Sequence, residues 1–155
     1  NGYTRRPGTL PPRAQPAGLG WHPYFAKRPG SRVTFSTLGR WEMGNDKLPT
    51  HRTDSAGLDG DCAALAVDHC FDGWRGELHL RDALLHTRVS SSLTRLVVFT
   101  QPGRDSIAIE PVSHVNNAVH LMVAGIATAE ELGLVILKPG ETFSCEMRMD
   151  VERVA

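Results

Sequence analysis

The sequence predicts an all-β protein built as an antiparallel β-sandwich, and three observations carry that reading. In "TFSCEMRMDV", apolar Phe143, Cys145, Met147, Met149 and Val151 alternate with Ser144, Glu146, Arg148 and Asp150. That period of two sets one row against a core and the other in water. Other short runs rich in β-branched and aromatic residues are separated by Gly, Pro, Asp and Ser clusters, at spacings suited to a sandwich or barrel. Helical evidence is confined to a stretch too short for more than one or two turns.

The elements follow in chain order. Residues 1–13, "NGYTRRPGTLPPR", are rich in proline and arginine without an amphipathic period. They read as an irregular leader, or as the truncated edge of something larger. Residues 14–155 form the sandwich domain. "RVTFST" (32–37) is a strand, and "HRTDSAGLDGD" (51–61), dense in turn formers, reads as a loop. Strand-like runs continue through "GELHLRD" (76–82), "LLHTRVS" (84–90), "TRLVVFT" (94–100) and "SIAIEPVS" (106–113), with "GRDS" (103–106) as a loop. In "ATAEELG" (127–133), Thr128 is placed to cap a short helical turn that Gly133 ends. "KPGE" (138–141) supplies a turn, so residues 132–151 read as a hairpin whose apolar row, Met147 and Met149 included, faces the core.

Composition excludes more than it names. Seventeen Lys and Arg residues balance seventeen Asp and Glu, which argues against a nucleic-acid or membrane partner. No apolar run approaches the roughly 20 residues of a membrane helix, and no signal-peptide pattern opens the chain. Cys62, Cys70 and Cys145 are an odd count without CxxC spacing. Neither a disulfide framework nor a cysteine zinc site is expected, and a reducing cytoplasm is the simplest location. At 155 residues the chain suits one domain with a real core.

Chemistry concentrates in three stretches: "GLGWHPYF" (18–25), "VDHCFDGWRG" (67–76) and "SIAIEPVSHVNNAVHL" (106–121). His22 and Glu110 each immediately precede a proline, which biases their backbone toward the extended region. Each proline also removes an amide from the ladder. A titratable side chain held extended where pairing breaks down is placed to line a cleft. Alternation turns Ile107 and Ile109 one way, Ala108 and Glu110 the other, with the small Ala108 leaving room above the sheet. Trp21, Tyr24 and Phe25 would wall an imidazole at His22. A structural histidine, a solvated glutamate and turn-forming Asp68 and Asp72 are the plainer alternatives. Glu110, His114 and His120 match no compact metal-ligand pattern. "GxSxG" and a phosphate-cradling glycine loop are absent. No metal and no cofactor are expected.

Taken together, "PAGLGWHPYF" (16–25), "VDHCFDGWRG" (67–76), "IAIEPVSHVNNAV" (107–119) and "GLVILKPGETFSCEMRMDV" (133–151) resemble the aldose 1-epimerase (galactose mutarotase-like) family, in the family's own order. The resemblance covers residues 14–151 and corresponds to roughly the second half of a family member. It implies a galactose mutarotase-like supersandwich, of which this chain would be the C-terminal half. It also implies an isomerase that interconverts the α and β anomers of a hexose or hexose phosphate. In such enzymes a glutamate takes the proton of the anomeric hydroxyl while a histidine protonates the ring oxygen; the ring opens and recloses as the other anomer. Carried onto this sequence, the histidine falls on His22, the glutamate on Glu110 and the hydroxyl-binding aspartate on Asp68. His69, Trp74 and Tyr24 would line the pocket.

The residue types suit that chemistry. Histidine can give or take a proton near neutral pH, and a glutamate is the better base when partial burial raises its pKa. The two groups are expected to face each other across a gap about as wide as a pyranose ring. The family's first half contributes an arginine and a second histidine that no stretch here matches, so a catalytically inactive carbohydrate-binding sandwich is the alternative expectation. Half a sandwich leaves unpaired edges, and a homodimer or a missing N-terminal half is expected to cover them.

Overall fold

The computed structural model describes residues 13–154; of the expected leader, all but Arg13 lies outside the described residues. In chain order the strands are β1 (Gln15–Ala17), β2 (Tyr24–Ala26), β3 (Arg32–Ser36), β4 (Gly39–Met43), β5 (Pro49–Asp54) and β6 (Gly57–Asp61). They continue with β7 (Val67–Asp72), β8 (Glu77–Arg81), β9 (Leu85–Ser91), β10 (Arg95–Thr100) and β11 (Ser106–Val112). Two short helices, α1 (Ala118–Val123) and α2 (Ala129–Leu132), precede β12 (Val135–Leu137) and β13 (Met147–Arg153). None of these helices is long and apolar enough to cross a membrane.

Two antiparallel sheets make the sandwich. One has six strands in the order β2-β11-β10-β7-β4-β5, and the other has five in the order β13-β9-β8-β3-β6. Alternation decides what lies between them. Phe71 on β7, Leu96 and Val98 on β10, and Ile107 and Ile109 on β11 meet Val33 and Phe35 on β3, Leu78 and Leu80 on β8, and Val89 on β9. Phe35 and Phe71 pack edge to face, with centroids 5.2 Å apart. Burying such side chains supplies most of the driving force for the fold.

A second, smaller cluster lies on the outer face of the six-stranded sheet. Trp41 and Cys70 are roofed there by Val115, Ala118, Leu121, Leu132 and Leu134, with Val97 and Val112 packed alongside. α2 ends as the sequence predicts: Thr128 and Glu131 form a reciprocal capping box and Gly133 closes the C-terminus with φ 73°. α1 is not predicted. Its "AVHLMV" reads as part of a strand-bearing stretch, and it coils because Ala118 and Leu121 cover the sheet.

Two further expectations are corrected. The 132–151 segment is not a hairpin. The turn forms, with the Glu141 amide donating to the Lys138 carbonyl at 3.0 Å. But β12 pairs with β1, and β13 pairs with β9 along its whole length. Met147 packs on the core, whereas Met149 and Val151 are 42% and 54% exposed, because β13 is a sheet edge and none of the described residues covers them. Likewise 51–61 is not a loop but β5 and β6, the edges of different sheets, joined at a corner. Their side chains largely face water, so no apolar alternation marks them in sequence.

Candidate active site

The site grows from the pairing of β2 with β11. Tyr24 lies opposite Ala108 and Phe25 opposite Ile107. The regular ladder then stops, because Pro23 and Pro111 carry no amide. The chain stays alongside β11 through proline carbonyls: the Ile109 amide donates to the Pro23 oxygen at 3.3 Å and the Trp21 amide to the Pro111 oxygen at 3.0 Å. This interrupted register carries His22 to Glu110, with Nε2 3.0 Å from Oε1.

The two expected catalytic groups therefore share one face, in direct contact rather than across a ring-wide gap. The Glu110 side chain is 12% exposed and that of His22 56%. The same alternation splits the expected aromatic wall. Tyr24 stays on the outer face with its ring 4.9 Å from the imidazole, while Phe25 turns to the sandwich core. Ala108 is buried, so the room expected above it is taken up.

Asp68 joins this face from β7. It lies opposite Phe99 on β10, and Phe99 lies opposite Ala108, so Asp68, Phe99, Ala108 and Tyr24 form one cross-strand row. The next row holds Cys70, Val97 and Glu110. Burial raises the Glu110 carboxyl above its ordinary value; the His22 ring opposes that rise, and the negative charge of Asp68 adds to it. Burial also pushes the Cys70 thiol up to about 12, which leaves it inert under the helical roof.

His69 and Trp74 are not brought to this site. His69 is next to Asp68 on a strand, so its ring faces the opposite way, with Nε2 3.3 Å from Glu42 Oε2. Trp74 is buried in the core and its Nε1 donates to the Glu77 carbonyl at 2.8 Å. A polar group the sequence reading placed elsewhere does appear on the site face: Arg52, from the supposed loop. It donates to both Asp72 oxygens at 2.8–3.1 Å, and Trp41 Nε1 donates to the same carboxylate. Their partners are satisfied within the cluster, which braces the sheet. Among the described residues no three His, Cys, Asp or Glu side chains are grouped to hold a metal ion.

A histidine and a partly buried carboxylate in contact can take one proton and give another in the same event. Comparison with known proteins places the family and the fold. The aldose 1-epimerase family model matches residues 9–150. The uncharacterized protein YphB of Escherichia coli K12 is 25% identical over 154 residues, covering 88% of this chain and 51% of that protein. A crystal structure of a galactose mutarotase-like protein from Clostridium acetobutylicum superposes with a TM-score of 0.78 at 19% identity, covering 94% of this chain and 50% of that one. The Slr1438 protein of Synechocystis sp. PCC 6803 superposes with a TM-score of 0.68 at 23% identity, covering 92% and 47%. The chain thus spans about half the length of the proteins it matches.

Proposed function

The chain belongs to the aldose 1-epimerase family, and from that premise we propose that it interconverts the α and β anomers of a hexose or hexose phosphate, with Glu110 as base and His22 as acid. The observation that supports this most is the 3.0 Å contact between His22 Nε2 and Glu110 Oε1. The anomeric hydroxyl and the ring oxygen are both bonded to C1. A base and an acid side by side can therefore reach both with small side-chain rotations, and no ring-wide gap is needed.

Glu110 takes the proton of the anomeric hydroxyl as His22 gives one to the ring oxygen. The C1–O bond to the ring breaks and an aldehyde forms. After rotation about C1–C2 the groups reverse roles, and the ring closes on the other face. The raised Glu110 carboxyl makes the stronger base. Asp68, two strands away on the same face, is placed to accept from sugar hydroxyls, and the Tyr24 ring offers a surface to the C–H face of a pyranose.

Polarimetry on freshly dissolved α-glucose, α-galactose and their 6-phosphates tests the proposal. Faster mutarotation than buffer is expected, falling about 10²–10⁴-fold in Glu110→Gln. No acceleration by the wild-type chain, or an undiminished rate in the variant, overturns it. A second reading, sugar binding without turnover, draws on the openness of His22, since proton transfer gains from a site closed to water. Saturable binding by calorimetry with no rate enhancement selects it.

A further inference from the structure

We propose that Ser113 is a positioning residue, whose hydroxyl holds residues 18–21 on β11 and so sets His22 against Glu110. This rests on the acid role given to His22 above, and the experiment below separates the two.

One register runs through the whole stretch. Tyr24 lies opposite Ala108 and Gly20 opposite Val112. The same register sets His22 opposite Glu110, Leu19 opposite Ser113 and Gly18 opposite His114. An antiparallel ladder exchanges two backbone bonds at every second pair. Here those pairs are Pro23 with Ile109, Trp21 with Pro111 and Leu19 with Ser113. The first two are reduced to a single bond each, because a proline has no amide to give. His22 and Glu110 sit between these two weakened pairs.

The third pair differs. The Ser113 amide donates to the Leu19 carbonyl at 2.8 Å. The return bond does not go to the Ser113 carbonyl, which accepts from Arg95 Nη1 at 3.2 Å. The Leu19 amide donates instead to Ser113 Oγ, at 2.9 Å. The hydroxyl thus stands in for a backbone carbonyl and restores a second bond where the chain approaches His22. Without it, each of the three pairs would hold by one bond.

The hydroxyl is itself fixed. Ser113 is buried, and its Oγ lies 3.0 Å from His114 Nδ1. Burial, aided by the Arg95 charge, holds the half-buried His114 imidazole below its ordinary pKa. A neutral ring takes the hydroxyl proton at Nδ1 and leaves an oxygen lone pair for the Leu19 amide.

The two glycines of "GLG" belong to the same contact. A Cβ on Gly18 would fall inside the His114 ring. One on Gly20 would lie 2.9 Å from Val112 Cγ1 and 3.0 Å from the Pro111 carbonyl oxygen. The segment therefore lies closer to β11 than side chains at these positions would allow. Ser113 bonds neither His22 nor Glu110. It acts through residues 19–21, so its loss should slow turnover more than it weakens substrate binding.

The test is histidine ring proton NMR on the 155-residue chain, alongside polarimetry. With His22 Nε2 3.0 Å from Glu110 Oε1, the His22 ring signals should show a second step as Glu110 ionises. Glu110→Gln removes that step and so identifies it. Ser113→Ala should shrink it severalfold and lower kcat about tenfold to a hundredfold, with KM changed no more than about twofold. Ser113→Thr keeps the hydroxyl and should keep both. Gly18→Ala should shrink the step in the wild-type background and add no further loss in His114→Ala, where the ring it would strike is gone. A full step in Ser113→Ala overturns the proposal even if that variant melts earlier, as does an equal loss from Gly18→Ala with and without the His114 ring. A step lost in Ser113→Ala from a chain without turnover supports the positioning role and overturns the anomer reading alone.

Discussion

Glu110 is under opposing influences that can be measured separately. Burial and the Asp68 charge push its carboxyl above the ordinary 4.5, and His22 pulls it down. A base must be deprotonated to act, so the acidic limb of the mutarotation rate should lie above pH 4.5. Asp68→Asn removes a like charge and makes the Glu110 carboxylate easier to form. The limb should move to lower pH, even if the maximum rate falls through lost hydroxyl contacts; a limb that stays in place counts against the coupling. The proline after each of His22 and Glu110 made this pair legible, because it announces an interrupted ladder. His69 was misassigned for an equally local reason. Neighbours on a strand face opposite ways, and proximity in sequence to Asp68 carried it to the wrong side.

Among the elements, α2 was readable because its signals are local: a Thr-x-x-Glu box and a terminal glycine. The two ends should differ in cost. Thr128→Ala removes a side-chain cap and should cost about 1 kcal/mol in urea unfolding. Gly133→Ala should cost more. The residue has φ 73°, and an added Cβ would collide with the Arg95 guanidinium and the Ser113 carbonyl that it bonds. An equal or smaller loss for Gly133→Ala would show that the end of α2 rearranges freely. The "KPGE" turn is the counterexample. Its chemistry is that of a hairpin turn and it does close, yet the strands on either side pair with β1 and β9. A turn signal fixes a change of direction and says nothing about which strand lies waiting. β5 and β6 carry no signal to read, since both faces of an edge strand can stay polar.

For the whole molecule, position in the sandwich outranks residue type. Leu96, fully buried between the sheets, should cost about 2–5 kcal/mol as Leu96→Ala. Val151, equally apolar and also on a strand, is 54% exposed at the β13 edge, and Val151→Thr should stay within about 0.5 kcal/mol. Chemical denaturation of both variants checks the contrast; comparable losses would mean that the β13 face is covered in solution. Composition and alternation by themselves determined the all-β class, most strands and the capped turn, and the proline after each singled out His22 and Glu110, because each of these is written in spacings of a few residues. Only the tertiary structure decided that His22 touches Glu110, which face His69 and Trp74 serve, and which apolar rows stay open. Those depend on strand order and on layers packed from residues distant in sequence, and no local spacing encodes them.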